Sequence, residues 1–266
     1  MIIDGIDVFG GIAIAFILGY LLYIIYYTLD LFFLNPFKKI PPLSSQEEQV
    51  ILENLPFYHH LSAHHKKRFK KRVVRFRARK KIVFHEEVIQ KEKITLLLSA
   101  TAAMLTLGMA DFLILSVEKI MVYPREYYSK LTKKQHYGEY NPALKILVFS
   151  EENLLHGFKI PNDNINLAVH EFSHAISFNV ANKLNLRSYM FMFGMRSIHQ
   201  LFHNKAFIAK VDRTGYFRSY GKTNIHEFFA VSVENYVETP EEFQKQFPKL
   251  YAIIKRMLNI GYYRLQ

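Results

Sequence analysis

A long uncharged segment near the N-terminus is the feature that most constrains the fold of this chain. No residue from Val8 to Thr28 carries a charge, and at about 1.5 Å per residue a helix of this length covers the roughly 30 Å hydrocarbon core of a bilayer. We therefore predict a transmembrane anchor within residues 1–34. A cleaved signal peptide is the alternative, but Asp4 and Asp7 stand where such a peptide has basic residues.

The charges that flank this segment predict its orientation. No Lys or Arg precedes it, whereas Lys38 and Lys39 follow closely, so the positive-inside rule places the N-terminus outside and the rest of a single-pass chain in the cytoplasm. We interpret residues 35–45 as a linker and residues 46–266 as one domain. Its first helix should begin near Ser44 or Ser45, which Glu47 and Glu48 follow three residues later.

Composition excludes several kinds of protein. Half of the 266 residues are hydrophobic, which is enough to bury a sizeable core. The chain has no cysteine, so disulfides, thiolate zinc fingers, iron-sulfur clusters and cysteine nucleophiles are excluded, and any metal must be bound by His, Asp or Glu. The formal net charge of +12 indicates an anionic partner, either nucleic acid or an anionic lipid surface.

Much of the positive charge lies in residues 66–81. Phe69, Val73 and Phe76 recur there at helical spacing, which predicts a basic amphipathic helix. One interpretation is a solvated charged face above a buried stripe, and the other adds contact with the anionic headgroups of the membrane. We favour the membrane, and we expect no nucleic acid, because the segment lacks the aromatic and basic pattern of a nucleic-acid module.

Two other apolar segments are predicted to belong to the domain core. Residues 94–110 form a second uncharged run, but it is short for a span, contains Ser and Thr, and ends at Asp111. We therefore predict a buried core helix there in preference to a second transmembrane helix. The segment Leu144 to Glu151 is rich in β-branched and apolar residues and predicts a strand.

The segment NLAVHEFSHAIS, residues 166–177, contains two histidines separated by four positions. Polar residues at 162–164 are candidate helix caps, and the apolar residues that follow have helical spacing. His170 and His174 then share one face of a helix, while Glu171 is rotated by about 100° and can act on a water molecule. This pattern is typical of zincins, in which two histidines bind zinc and the glutamate is the general base.

A third metal ligand is expected on another element, because catalytic zinc usually has three protein ligands. The segment NIHEFFAVSVENYVE offers His226, Glu227, Glu234 and Glu238 on an apolar helix. We favour Glu227, because a carboxylate among aromatic and aliphatic residues is costly unless it is paired or binds a metal. The alternative is that Glu227 pairs with a basic side chain.

The other histidines are weaker candidates. His199 and His203 are also four apart, but no glutamate lies between them, so we interpret them as core or surface residues. Four more histidines flank the basic segment and are expected to titrate at the surface: His59, His60, His64 and His65.

The two helix motifs together resemble the MtfA family of zinc-dependent peptidases, named for Mlc titration factor A. The resemblance extends from about Leu52 to Leu258 and rests on VHEFSHAIS and on YGKTNIHEFFAVSVENYVETPEEF. It implies a predominantly helical α+β, zincin-like fold similar to the catalytic domain of anthrax lethal factor. It also implies one zinc ion bound by three ligands (His170, His174 and Glu227), Glu171 as general base, and Tyr220 as the group that stabilises the oxyanion.

The chain departs from the family pattern at two places. Ala175, Ile176 and Ser177 follow the second histidine where the family usually has Lys-Leu-Asp. Ser177 therefore stands where the family has an acid that could accept a hydrogen bond from a zinc-binding histidine. The predicted N-terminal anchor is the second departure. From zincin-like folds we also expect the strand at Lys145–Phe149 to be a sheet edge along which an extended peptide could lie.

The sequence thus predicts a membrane-anchored, cytoplasm-facing zinc metallopeptidase that hydrolyses peptide or protein substrates. The alternative is a zinc-containing regulatory module that sequesters a protein partner, such as a transcriptional repressor, at the membrane. An intramembrane protease would use the same histidine pattern, but Asn164, Asn166 and Asn179 make this helix too polar for a span.

Overall fold

The computed structural model describes residues 5–28, 40–129, 133–181 and 186–260, with side chains of the first helix described from residue 10 to 25. The chain divides into two compact units, Met1–Pro41 and Pro42–Gln266. The first contains helix α1 (Gly5–Thr28). The second contains all the remaining helices and strands.

The structure does not support the predicted transmembrane helix. In the part of the chain that the structure describes, no helix is found that is both long enough and apolar enough to cross a membrane. Lys38 and Lys39, which predicted the orientation, and residues 35–39 of the predicted linker lie outside the described residues.

The second unit confirms the prediction of a predominantly helical α+β fold. Its helices are α2 (Ser45–Asn54), α3 (Ala63–Arg79), α4 (Lys91–Leu105), α5 (Glu151–Lys159), α6 (Leu167–Ala181), α7 (Leu186–Phe202), α8 (Lys205–Thr214), α9 (Ile225–Glu238), α10 (Pro240–Gln246) and α11 (Pro248–Leu258). Two short 3₁₀ turns, Pro56–His60 and Ser219–Lys222, complete the helical part.

A small mixed sheet packs against these helices. Its strands lie in the order β1 (Lys81–Phe84), β2 (Lys119–Tyr123), β6 (Ile146–Ser150) and β5 (Gly138–Asn141). The first three strands are parallel, and β5 is antiparallel to β6. A separate hairpin pairs β3 (Tyr127–Ser129) with β4 (Lys134–His136).

The strand predicted at Leu144–Glu151 is present as β6, but the prediction that Lys145–Phe149 forms a sheet edge is wrong. Strand β6 is hydrogen-bonded to β2 on one side and to β5 on the other. Leu147 and Phe149 are fully buried in the core, and interior strands of this kind are continuously apolar. The edge next to β6 is formed by the shorter and more polar β5.

The capping pattern predicted near Ser44 is confirmed. The backbone N–H of Glu47 donates to the Ser44 hydroxyl at 3.1 Å, and the N–H of Ser44 donates to the Glu47 carboxylate at 2.8 Å. This reciprocal capping box satisfies two backbone donors that the first turn would otherwise leave unpaired. The core helix predicted at 94–110 is confirmed as far as Leu105, where α4 ends, and most of α4 is buried.

The basic segment forms α3, and its three predicted apolar positions (Phe69, Val73 and Phe76) are fully buried. Several of its cations have structural partners within the protein. Arg72 is only 5% exposed and donates to the backbone carbonyls of Thr106 and Met109 beyond the end of α4. The Thr106 carbonyl also accepts from the backbone N–H of Met109 at 2.8 Å. A buried cation that donates to both carbonyls, where the helix dipole is negative, stabilises this end of the helix.

Two ion pairs join α3 to α2. Lys70 lies 3.1 Å from Glu48, and Arg77 pairs with Glu47. Lys80, just beyond the helix, donates to the carbonyls of Ile114 and Val117, and burial lowers its pKa to about 8. A large part of this basic segment therefore contributes to the fold.

We predict that Arg72→Met lowers the free energy of unfolding by about 2 to 3 kcal/mol. Methionine retains much of the aliphatic packing but leaves two buried carbonyls without the charged donor. Lys71→Met is the matched control, because Lys71 is exposed on the same helix and its loss should change stability by less than about 0.5 kcal/mol. Denaturant unfolding followed by circular dichroism measures both, and equal stabilities would contradict the role given to Arg72.

Candidate metal centre

Helix α6 places the two motif histidines. It begins at Leu167, later than the predicted caps at 162–164 imply. Asn164 has a φ of 61°, and the Asp163 carboxylate accepts from the backbone N–H of Ile165, so these residues form a turn before the helix. Asn166 is the cap instead, since its side-chain oxygen accepts from the N–H of Val169 at 3.1 Å.

Helix α9 supplies the carboxylate. The side-chain oxygen of Asn224 accepts from the N–H groups of His226 and Glu227, at 2.9 and 3.1 Å, and fixes the start of the helix. Glu227 therefore lies in the first turn of α9, where the helix dipole favours a negative charge. Helices α6 and α9 pack against each other and bring this carboxylate to the two histidines.

The three predicted ligands converge on one point. His170 Nε2 lies 3.0 Å from Glu227 Oε2 and 3.2 Å from His174 Nε2, and His174 Nε2 lies 3.5 Å from Glu227 Oε2. A tetrahedral zinc ion with ligand bonds of about 2.0 to 2.1 Å separates its donor atoms by roughly 3.3 Å. The donor set and its spacing fit a single metal ion, and within the described residues this is the cluster of His and acidic side chains that could bind one.

A second carboxylate on α9 orients the first histidine. Glu234 is 1% exposed, and its Oε1 accepts from Nδ1 of His170 at 2.7 Å. With Nδ1 protonated, the lone pair of His170 Nε2 is directed toward the cluster, as in the carboxylate and histidine pairs of many zinc sites. Glu234 thus provides the acidic partner that Ser177 cannot provide.

Glu234 has two additional donors. The backbone N–H of Asn166 donates to its Oε2 at 2.8 Å, and Arg218 pairs with Oε1. Arg218 lies two residues before Tyr220, which is on the 3₁₀ turn Ser219–Lys222. One buried carboxylate therefore links α6, α9 and the segment that carries Tyr220.

Tyr220 lies beside the cluster. Its ring centroid is 5.9 Å from that of His170, and half of the residue is exposed. Burial of the other half, together with the negative charges of Glu227 and Glu171, raises the pKa of Tyr220 to about 12. The phenol is therefore protonated at neutral pH and can donate a hydrogen bond.

Glu171 is buried against the edge strand. Burial raises the pKa of its carboxyl group, and the neighbouring histidines oppose this effect. A Cβ atom at Gly138 would lie 3.0 Å from both Cγ and Oε1 of Glu171, and 2.7 Å from a methyl of Leu167. Glycine at 138 therefore leaves the space that Glu171 occupies, and any other residue would displace the carboxylate.

The electrostatics of the cluster favour positive charge. Burial disfavours protonation of His170, but its hydrogen bonds with Glu227 and Glu234 outweigh burial and raise its pKa to about 10. Burial likewise disfavours ionisation of Glu227, yet its hydrogen bonds with His170 and His174 lower its pKa. The carboxylates that hold a proton here would attract a metal cation at the same point.

The remaining predicted candidates lie elsewhere. Glu238 bonds the side chain of Asn166 at 3.2 Å, while His226 is exposed at the cleft. His199 on α7 and His203, just beyond the end of that helix, are exposed and lie outside the metal cluster. Of the histidines around the basic segment, three are exposed and His65 is partly buried against Ser62.

A cleft of about 530 Å³ opens above the cluster. The potential ligands, Glu171 and Tyr220 all line it, and strand β5 forms one of its sides. At this site, sequence reasoning missed the role of Gly138, which lines the cleft, and the roles of Glu234 and Arg218, which support His170 from behind. Only Glu234 had a usable pattern, because it follows Glu227 by seven residues and so lies on the same face of α9.

Two histidines and a glutamate from packed helices, with a second glutamate beside an open cleft, define a metal-dependent hydrolase site. The chain belongs to the family described as glucose-regulated metallo-peptidase M90, whose model matches residues 37–259. This match confirms the resemblance to the MtfA peptidases. The chain is also similar to an uncharacterized protein from Synechocystis sp., with 24% identity over 238 residues that cover 81% of this chain and 84% of the relative.

We predict that Glu234→Gln weakens metal binding by about 10- to 100-fold, the usual effect of losing the carboxylate behind a metal-binding histidine. The amide retains the shape but not the charge that holds His170 and Arg218. Competition with a chromophoric chelator measures the affinity, and Glu241→Gln, an exposed position on α10, is the control. Equal affinities in both variants would show that Glu234 does not support the site.

Proposed function

We propose that this protein is a zinc-dependent peptidase that hydrolyses peptide bonds in the cleft above His170, His174 and Glu227. The observation that carries the proposal is the convergence of these three donor atoms, 3.0 to 3.5 Å apart, next to a buried glutamate. Membership of a metallopeptidase family supports the reaction class. Zinc is the metal that this borderline-soft set of two imidazoles and one carboxylate suits best.

When bound by these residues, zinc would lower the pKa of water and polarise the scissile carbonyl. Glu171, one residue after the first ligand, is placed to accept the proton of the attacking water and to transfer it to the leaving amine. Burial raises the pKa of the Glu171 carboxyl group in the direction of neutral pH. Such a pKa suits a group that alternately accepts and donates a proton.

Tyr220 is proposed to stabilise the negative charge that develops on the carbonyl oxygen. Its hydroxyl remains protonated, and the residue lines the cleft beside His170. A phenol that donates to an oxyanion in a partly dry cleft contributes most in the transition state. The link through Arg218 and Glu234 would fix the segment on which Tyr220 lies.

We propose that strand β5 aligns the substrate. The carbonyl of Tyr137 accepts from the N–H of Ser150 at 2.7 Å, so in the antiparallel ladder Glu139 and Asn141 bond to β6. By the same alternation, the backbone groups of Gly138 and Tyr140 point to the open edge. An extended peptide could pair with these groups. Because Gly138 has no side chain, the backbone of that peptide could then lie close to Glu171.

Glu171→Gln should lower kcat by about 10²- to 10⁴-fold, because the amide cannot accept the proton of water. Metal content should stay unchanged, since Glu171 is not among the three ligands. Hydrolysis of a peptide mixture, followed by mass spectrometry, measures the effect. Glu152→Gln, an exposed glutamate on α5, is the control, and equal cleavage by Glu171→Gln and the parent would contradict the assignment of the general base.

The same variant separates the peptidase from the regulatory alternative. A module that sequesters a protein partner would keep its partner affinity in Glu171→Gln and would need no hydrolysis. A protein that binds its partner equally well in both forms, and whose parent form cleaves no peptide, would support the regulatory role.

Metal removal provides an independent test. We expect one zinc ion per chain by elemental analysis after zinc-replete purification, with large losses in His174→Ala and Glu227→Ala, because a two-ligand site binds zinc weakly. His199→Ala should retain full zinc content. A folded parent protein without zinc, or variants with undiminished zinc, would overturn the proposed ligand set.

A further inference from the structure

One side of the cleft is apolar and aromatic. Ser177, Phe178 and Ala181 follow His174 by three, four and seven residues, so they lie on the same face of α6 as this ligand. All three line the cleft, together with Tyr140 and Pro142. The lining of the cleft also includes the polar residues His136 and Glu139.

Phe178 and Tyr140 form the centre of this apolar side. Their ring centroids are 6.0 Å apart with the planes at 63°, an edge-to-face contact that stabilises a pair of rings. Phe178 is nevertheless 40% exposed toward the cleft region. Two rings held in contact at the mouth of a concave site give a surface that would bury an apolar side chain.

The position of Tyr140 is fixed by the surrounding structure. Its hydroxyl donates to the carbonyl of Ser116 at 3.3 Å. Ser116 in turn donates its hydroxyl to the carbonyl of Ala175 and its N–H to the side chain of Asn179, at 2.9 and 3.2 Å. Phe178 is part of α6, and Tyr140 on β5 is connected to α6 through Ser116. The apolar side is therefore formed before any ligand binds.

The distance from the reacting centre identifies the part of a substrate that would reach this surface. Gly138 contacts Glu171, and Tyr140 is two residues further along β5 on the same face of the strand. Two residues of a strand span about 6.6 Å. A peptide aligned on β5 would thus place a side chain against Tyr140 and Phe178 within about two residues of the scissile bond.

Resting on the proposed peptidase function, we propose that Phe178 and Tyr140 form a subsite that selects peptides with a large apolar residue, such as Leu or Phe, close to the scissile bond. The selection comes from burial of the substrate side chain against the exposed surface of the two rings, with the small side chain of Ala181 beside them in the cleft lining. Small or acidic residues at the same substrate position would gain no such burial.

The test compares peptides that differ only at the position nearest the cleavage site. The parent should hydrolyse the Leu or Phe peptide with a kcat/KM at least about tenfold above that of the Gly or Asp peptide, as expected for a hydrophobic pocket. Phe178→Ala should reduce this ratio by about tenfold, whereas Phe178→Leu should restore most of it. Phe193→Ala, which removes a ring that is 61% exposed on α7, should leave the ratio unchanged.

A binding measurement separates this proposal from the proposed hydrolysis. Zinc-loaded Glu171→Gln and Glu171→Gln/Phe178→Ala are titrated with fluorescent Leu, Phe, Gly and Asp peptides, and anisotropy gives the Kd ratios. If the parent cleaves nothing but the preference for Leu or Phe depends on Phe178, the subsite stands and hydrolysis fails. An unchanged preference in the Phe178→Ala background, a preference for Gly or Asp, or no binding of any peptide would overturn the subsite.

Discussion

The buried carboxylate of Glu234 is the interaction on which the site depends. A carboxylate that is 1% exposed is costly to bury unless donors replace its hydration. Here the donors come from a ring nitrogen of His170, the backbone of Asn166 and the guanidinium of Arg218. Two of these donors belong to α6 and its cap, and the third lies just before the turn that carries Tyr220. The carboxylate, which is on α9, is therefore satisfied only when these three parts are assembled.

The face of α6 that points away from the metal ligands packs into the hydrophobic core. Phe172, fully buried, contacts Phe76 of α3 and Phe149 of β6, with ring centroids 5.8 and 6.1 Å away. Close-packed aromatic contacts of this kind leave little freedom for the helix to shift. The ligands on the opposite face therefore belong to a rigid scaffold, and a catalytic site needs such preorganised groups.

The sequence predicted the parts of the site that local spacing determines. His170, Glu171 and His174 follow from helical periodicity, and Glu227 follows from the cost of a carboxylate among apolar residues. The partners of Glu234 could not be predicted, because His170 precedes it by 64 residues and no pattern links them. Strand β5 was missed as the sheet edge, because the four residues GEYN lack the apolar run that identified β6.

Charge patterns were the least informative part of the sequence. The basic segment correctly predicted a helix with a buried stripe, but its charge pattern gave no sign that some of its cations have partners inside the fold. Arg72 and Lys80 donate to backbone carbonyls 34 to 37 residues away. Such partners depend on how α3 packs against the chain that follows α4, which only the tertiary structure determines.

The proposed substrate contacts are of two kinds, which would act on different parts of a peptide. Pairing with the backbone of β5 would be independent of sequence, whereas the aromatic side of the cleft would contact a side chain and so would depend on sequence. Both depend on α6, because Glu171 contacts the strand and Phe178, two turns later, contacts Tyr140. Since the ligands, the base and the apolar side lie on one helix, substitutions at 178 or 181 can change selection while the metal-binding turn stays in place.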